Sequence, residues 1–201
     1  MDNTALFQLG YGLYVLTAHD DGRDNGCVIN TAMQITSGES PTGVIAVNKQ
    51  NLTHDMVLRS GKFNVSVLTA DAPFELFKRF GFQSGRNADK FAGFTGAARS
   101  GSGVVYLTNH ANAYLSFEVT DSFDFDTHTM FKANIADGKT LSRGESVTYA
   151  HYHKHIKPKP QAAPSGYICG ICGYVYEGDA LPGDFICPLC KHGASDFTKR
   201  A

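Results

Sequence analysis

Four of the chain's five cysteines stand in two Cys-x-x-Cys pairs inside one C-terminal stretch, "YICGICGYVYEGDALPGDFICPLC", residues 167–190. Cys169 and Cys172 form the first pair and Cys187 and Cys190 the second, with fourteen residues between the pairs. Each pair lets one tight turn point two sulfurs at the same ion, and two such turns complete a tetrahedron. So short a stretch buries too little apolar surface to fold unaided, so its stability must come largely from bound metal. Zinc and iron both accept four thiolates, and the spacing alone does not choose between them.

A composition break precedes the cysteines. "KPKPQAAPSG", residues 157–166, holds three prolines that can neither continue a helix nor join a central strand. It reads as a semi-rigid linker between a larger segment, 1–156, and the cysteine segment, 167–201. With 18 Lys and Arg against 19 Asp and Glu, the chain has no cationic surplus for a nucleic-acid partner. No run of about 18 apolar residues predicts a membrane span. The opening "MDNTALFQLG" lacks the basic and apolar regions of a secretory signal. Thiols grouped for metal suit a reducing compartment, so a cytoplasmic location is expected.

The larger segment reads as mainly β. "GLYVLTAH" (12–19), "NGCVINTAMQIT" (25–36), "TGVIAVN" (42–48), "KFNVSVL" (62–68), "GVVYLT" (103–108), "AYLSFEVTDSF" (113–123) and "HTMFKANIA" (128–136) are strand-like. Their spacing predicts an antiparallel barrel. Two helices interrupt it. "NLTHDMVLRSG" (51–61) offers Asn51 or Thr53 as a cap and Gly61 as terminator. "DAPFELFKRFG" (71–81) offers Asp71 as a cap, with Leu76, Phe77 and Phe80 on one apolar face.

Around the thiols, "CGICGYVYEGD" and "LPGDFICPLC" resemble the two halves of rubredoxin. Gly173 lets backbone N–H groups turn toward sulfur, Pro188 fixes the second turn, and Tyr174, Tyr176 and Phe185 can build an apolar shell. Hydrogen bonds to sulfur and exclusion of water set an iron site's potential. Phe185 stands where rubredoxins usually carry Trp, Lys191 replaces a glycine, and the loop between the pairs is short, as in rubredoxin modules appended to larger enzymes. The resemblance implies one iron on Cys169, Cys172, Cys187 and Cys190. A structural zinc ribbon that docks a partner is the alternative.

Such an iron changes by one electron, whereas nicotinamide delivers two as hydride, and a flavin is the usual adaptor. "SGSGVVY" (100–106) lacks the third glycine of a dinucleotide fingerprint, and no P-loop occurs. However, "NGCVINTAMQITS" (25–37), "VNKQNLTHDM" (47–56) and "GFQSGRNADKF" (81–91), with the exit "TYAHYHKHIKPKPQAAP" (148–164), resemble the flavin reductase-like, FMN-binding split-barrel family. The resemblance implies FMN, NAD(P)H as donor, and a homodimer with the flavin near its interface. A barrel of this kind followed by rubredoxin implies an anaerobe's electron-transfer oxidoreductase, with a flavodiiron-type oxygen or nitric oxide reductase as acceptor. A carrier with the same cofactors but no nicotinamide site of its own is a further alternative.

Residue chemistry supports the ligand. Asn30, Thr31 and Gln34 can pair with ring and ribitol edges, and the hydroxyls of Thr36 and Ser37 suit polar groups. Asn48, Lys49, Asn51 and Thr53 lead into a helix whose N-terminus favours an anion. Ser84, Gly85, Arg86 and Lys90 add a loop with two cations. Singly, turn and cap chemistry accounts for each of these residues; together they suit a flavin phosphate.

His128, in "THTMF", stands where the family has a His-x-x-Phe motif over the flavin, and is expected to position the reactants and not to titrate. "KANI" follows where Gly-Glu-Val is usual. Cys27 reads as a buried thiol. His151, His153 and His155 alternate, which puts them on one side of an extended segment.

Overall fold

The computed structural model describes residue 5 and residues 8–158, 166–170, 173–187 and 193–199. The chain divides into two compact units, Met1–Ile156 and Lys157–Ala201. No described helix is long and apolar enough to cross a membrane.

The larger unit holds β1 (Tyr14–Asp20), β2 (Arg23–Ile29), β3 (Ala32–Gln34), β4 (Thr42–Asn48), β5 (Lys62–Leu68), β6 (Ala97–Arg99), β7 (Val105–Leu107), β8 (Ala111–Asp124) and β9 (His128–Thr140). Seven of these form one antiparallel sheet in the order β2-β1-β5-β8-β9-β4-β3, and β6 and β7 pair as a separate hairpin. β2 and β3 lie at opposite ends of that order yet follow one another in the chain through Asn30 and Thr31. Thr31 carbonyl accepts from Ala46 N–H at 3.2 Å, tying the junction to β4. The sheet therefore curls until its two edges meet, which closes a barrel. "NGCVINTAMQIT" is thus two strands and not one.

Alternation fills the barrel. Gly43, Ile45 and Val47 of β4 and Thr129, Phe131 and Ala133 of β9 point inward, as a two-residue period requires. They pack with Leu16, Cys27, Phe63 and Phe117, whose last two rings stack at 4.7 Å. Helix α1 (Leu52–Ser60) adds Met56 and Val57 to this core.

α1 stops at Gly61, whose φ of 66° is left-handed and whose N–H reaches Val57 carbonyl at 2.9 Å. Nothing crowds a Cβ there, so Gly61→Ala carries a backbone cost alone. A loss of about 1–2 kcal/mol in chemical denaturation is expected.

α2 (Phe74–Gly81) buries Leu76, Phe77 and Phe80 in a second cluster with Leu13, Val15, Leu107 and Val147. Its N-cap position is Pro73, and Asp71 instead accepts the Thr69 hydroxyl. α3 (Tyr149–His151) continues as a π-helical turn, Tyr152–Ile156. Thr148 Oγ1 caps it by accepting from His151 N–H at 3.1 Å. The histidine tract is therefore helical and not extended. The rings of His151 and His155 lie 4.7 Å apart, and His153 meets the Tyr149 ring edge-on at 4.4 Å.

The smaller unit carries a three-stranded sheet, β11-β10-β12, made of β10 (Tyr167–Cys169), β11 (Val175–Tyr176) and β12 (Phe197–Lys199). Phe185 is its aromatic hub, 4.8 Å from Tyr176, 5.4 Å from Phe197 and 6.3 Å from Tyr174.

Candidate functional site

The β4–α1 junction gathers polar groups from four segments. Asn48 ends β4 in register with His128, the first residue of β9. Lys49 N–H donates to Thr127 carbonyl at 3.0 Å, lacing the two segments one step further. Asn51 occupies the N-cap of α1 with no side-chain cap bond, so the first turn's N–H groups point outward unsatisfied by it. Asn30 and Thr31 reach the same end of β4 through the barrel closure, and their side chains bond each other at 3.1 Å.

Two cations stand here. Lys49 Nζ lies 2.5 Å from the exposed Asp124 carboxylate, a surface pair worth little and readily exchanged for a ligand anion. Arg86 donates one amine to Asp55 at 2.7 Å, which steadies the guanidinium and leaves its other donors available. Ser84 starts the turn that presents it, accepting from Arg86 N–H at 3.3 Å. Gly85 fits because a Cβ there would lie 2.3 Å from Asn25 Oδ1, a buried atom without a hydrogen-bond partner among the described residues.

Two expected ligand partners are spent elsewhere. Lys90 is buried, with Nζ on Gly26 carbonyl at 2.8 Å and Phe80 carbonyl at 3.0 Å. Phe91 and Phe94 pack on Phe80 and draw the loop inward, carrying Lys90 with it. Thr53 is fully buried and accepts from Asn25 Nδ2 at 2.9 Å, since its position on α1 faces the barrel. Gln34, Thr36 and Ser37 are exposed at the other end of the β3–β4 pair. Thr36 is held there by Thr42 at 2.8 Å, about 20 Å along the strand from Asn48.

His128 is half-buried, and Nδ1 meets Thr127 Oγ1 at 2.8 Å. Burial, with a smaller contribution from His54, holds its imidazole below the ordinary value of 6.5. The ring is therefore neutral at neutral pH, as positioning requires. The unfolded chain binds the proton more readily, so stability is retained above 6.5 and falls as pH drops below it. His128→Asn is expected to flatten that acid-side decline in Tm. Phe131 of the same motif is fully buried in the barrel core and cannot cover a ligand.

Sequence reasoning missed His54, Asp55 and Thr129. His54 Nδ1 lies 2.9 Å from Asp55 Oδ1 and Nε2 lies 2.9 Å from Thr129 Oγ1. The signal was helical spacing: His54 precedes the buried Val57 by three residues and so faces inward.

In the smaller unit, Cys169 and Cys187 are 1% and 0% exposed. Cys169 N–H donates to Tyr174 carbonyl and Gly173 N–H to Cys169 carbonyl, both at 2.8 Å. Gly173 makes that turn at φ 74°. Cys172, Cys190, Pro188 and Lys191 lie outside the described residues. Among the described residues Cys169 and Cys187 are buried, and Tyr174, Phe185 and Phe197 pack together; four thiolates as a donor set would suit a tetrahedral iron.

Residues 6–159 match the flavin reductase like domain family. The chain belongs to that family. Residues 167–198 match the rubrerythrin, rubredoxin-like domain, so a flavin reductase-like barrel is followed by a rubredoxin-like module. The high molecular weight rubredoxin of Moorella thermoacetica is 39% identical, covering 98% of this chain and 99% of that one. A ferric-chelate reductase (NAD(P)H) of Archaeoglobus fulgidus is 37% identical over 84% of this chain and 98% of its own. The NADH:FAD oxidoreductase of Streptomyces globisporus shares the fold, with a TM-score of 0.64 and 20% identity over 75% of this chain and 89% of that one. Membership of the family makes this chain an oxidoreductase, and the appended module makes it an electron-transfer protein.

Proposed function

We propose that this protein takes hydride from NADH or NADPH at the β4–α1 end of its barrel and delivers electrons singly through its cysteine module to an external redox protein. Bound FMN supplies the conversion from two electrons to one, and an iron held by Cys169, Cys172, Cys187 and Cys190 supplies the one-electron relay. The observation that carries this reading is the pairing, in one chain, of a flavin reductase-like barrel with a four-thiol module of rubredoxin type.

Each residue has a task the geometry supports. Lys49, Arg86 and the first turn of α1 take the flavin phosphate, and Asn30, Thr31, Asn48 and Asn51 supply amide and hydroxyl partners. Gln34, Thr36 and Ser37 serve only a ligand that runs along β3. Neutral His128 orients the incoming nicotinamide without exchanging a proton. Burial of Cys169 and Cys187 excludes water from the metal.

The acceptor in this reading is a flavodiiron-type protein, which takes its electrons from the cysteine module. A homodimer is supported by apolar side chains open to solvent: Met33 in β3 and Ile35 just after it are 59% and 54% exposed, and Phe123 and Phe125 at the β8–β9 hairpin 43% and 56%.

Anaerobic mixing of flavin-loaded protein with NADH, and separately with NADPH, tests the reading. Bleaching of the flavin absorbance is expected with at least one. No bleaching favours a carrier charged by another protein, the reading that burial of Phe131 also supports.

A further inference from the structure

We propose that His54 is a positioning residue for the β4–α1 site: its ring accepts the Thr129 hydroxyl through Nε2, and so holds the first residues of β9, His128 among them, against the junction. The inference rests on reading that end of the barrel as the flavin and nicotinamide site.

Burial works against the charge of Asp55, but hydrogen bonds from His54 and Arg86, with the Arg86 charge beside them, keep its carboxyl below the ordinary carboxylate range. An ionised carboxylate only accepts, so Nδ1 must carry the proton it shares at 2.9 Å. In the neutral imidazole the other nitrogen then accepts, and Thr129 Oγ1 at 2.9 Å is its donor. His54 and Thr129 are both buried, where an unmade bond is costly. The same ring also packs at 5.7 Å from Phe131, two residues further along β9.

The bond meets β9 beside the site. Thr129 is in register with Val47 and His128 with Asn48. Lys49 N–H holds Thr127, whose hydroxyl in turn meets the His128 ring. Because inward and outward side chains alternate, fixing Thr129 from inside fixes the outward aim of His128. At its other end the chain of contacts runs through Asp55 to Arg86, so α1, the loop after α2 and the start of β9 are joined by three consecutive polar links.

Glutamine and asparagine separate this role from ordinary packing. In His54→Gln the side-chain carbonyl can occupy the Nε2 position and still accept from Thr129. In His54→Asn the amide can still donate to Asp55 but stops short of Thr129. In flavin-loaded full-length protein, His54→Gln is expected to keep the NADH-saturated flavin reduction rate within about threefold of wild type. His54→Asn and Thr129→Val should each lose about tenfold or more, with a smaller change in NADH affinity, because a small misplacement penalises the rate above all. The double variant His54→Asn/Thr129→Val should be no worse than either single one.

Imidazole 15N shifts of the full chain without nicotinamide give a second readout, with His54 expected as the Nδ1–H tautomer. An Nε2–H tautomer, or equal rates for the Asn and Gln variants, overturns the proposal. If wild type itself is not reduced by nicotinamide, the proposed function fails. The tautomer and the non-additivity of the two substitutions in Tm then still decide the role of His54.

Discussion

Cys187→Ala is expected to abolish metal binding and to unfold the smaller unit while leaving the barrel intact. The side chain is fully buried, and with three thiolates the tetrahedron cannot close. Structural metal contributes about 10–16 kcal/mol to comparable small sites, more than a core of this size supplies alone. The aromatic cluster around Phe185 then has no centre to pack beside. Metal analysis, visible absorption and limited proteolysis of the full chain should agree: no tetrathiolate colour and rapid cleavage after the barrel. NADH-dependent flavin bleaching should persist, because every residue placed at the β4–α1 site belongs to the other unit. Delivery of electrons to a protein acceptor should fall by about 100-fold or more, since the loss of a one-electron relay has no substitute. Retention of metal and of acceptor reduction would refute the ligand assignment.

The second large effect lies in the barrel. Phe80 is fully buried, with Phe91 and Phe94 each 5.4 Å from its ring, and its carbonyl accepts from Lys90. Phe80→Ala removes the ring on which the loop after α2 folds back. Truncations of this kind cost about 3–5 kcal/mol. For a chain of this size that corresponds to a fall in Tm of roughly 6–20 °C. Arg86 rides on the same loop, so flavin affinity is expected to weaken alongside stability. A fall of under about 1 kcal/mol with unchanged flavin affinity would mean that the loop is held by its polar ties alone.

The residues that resisted reading from sequence did so for identifiable reasons. The strands β1, β4, β5, β8 and β9 are legible because β-branched and aromatic residues recur along them between turn clusters. The break at Asn30 is not, since periodicity says which face is buried and nothing about which edge a strand joins. Barrel closure places that break, and closure is a property of all seven strands together. β6 is three residues long with no apolar alternation, so it left no trace. Alternate spacing of the histidines suggests an extended tract, whereas the Thr148 cap starts a helical turn there.

The site shows the same division. Lys49, Asn51 and Arg86 stand at the β4–α1 junction, where loop positions and the helix start are set locally. Lys90 and Thr53 resemble them in sequence but are turned inward by contacts many residues away, with Phe80 and Asn25. His54 and Asp55 looked like an ordinary first helical turn until β9 was placed across them. The four thiols read as a metal site from their spacing, without tertiary context.

Two-wavelength stopped-flow on the intact, iron-loaded protein mixed anaerobically with NADH or NADPH tests the account most directly. It should show flavin absorbance falling first and the ferric tetrathiolate bands fading after it, at a rate independent of protein concentration if transfer stays within one assembly. A flavin that bleaches while the iron bands stay unchanged would contradict the account, as would a colourless cysteine module holding stoichiometric zinc.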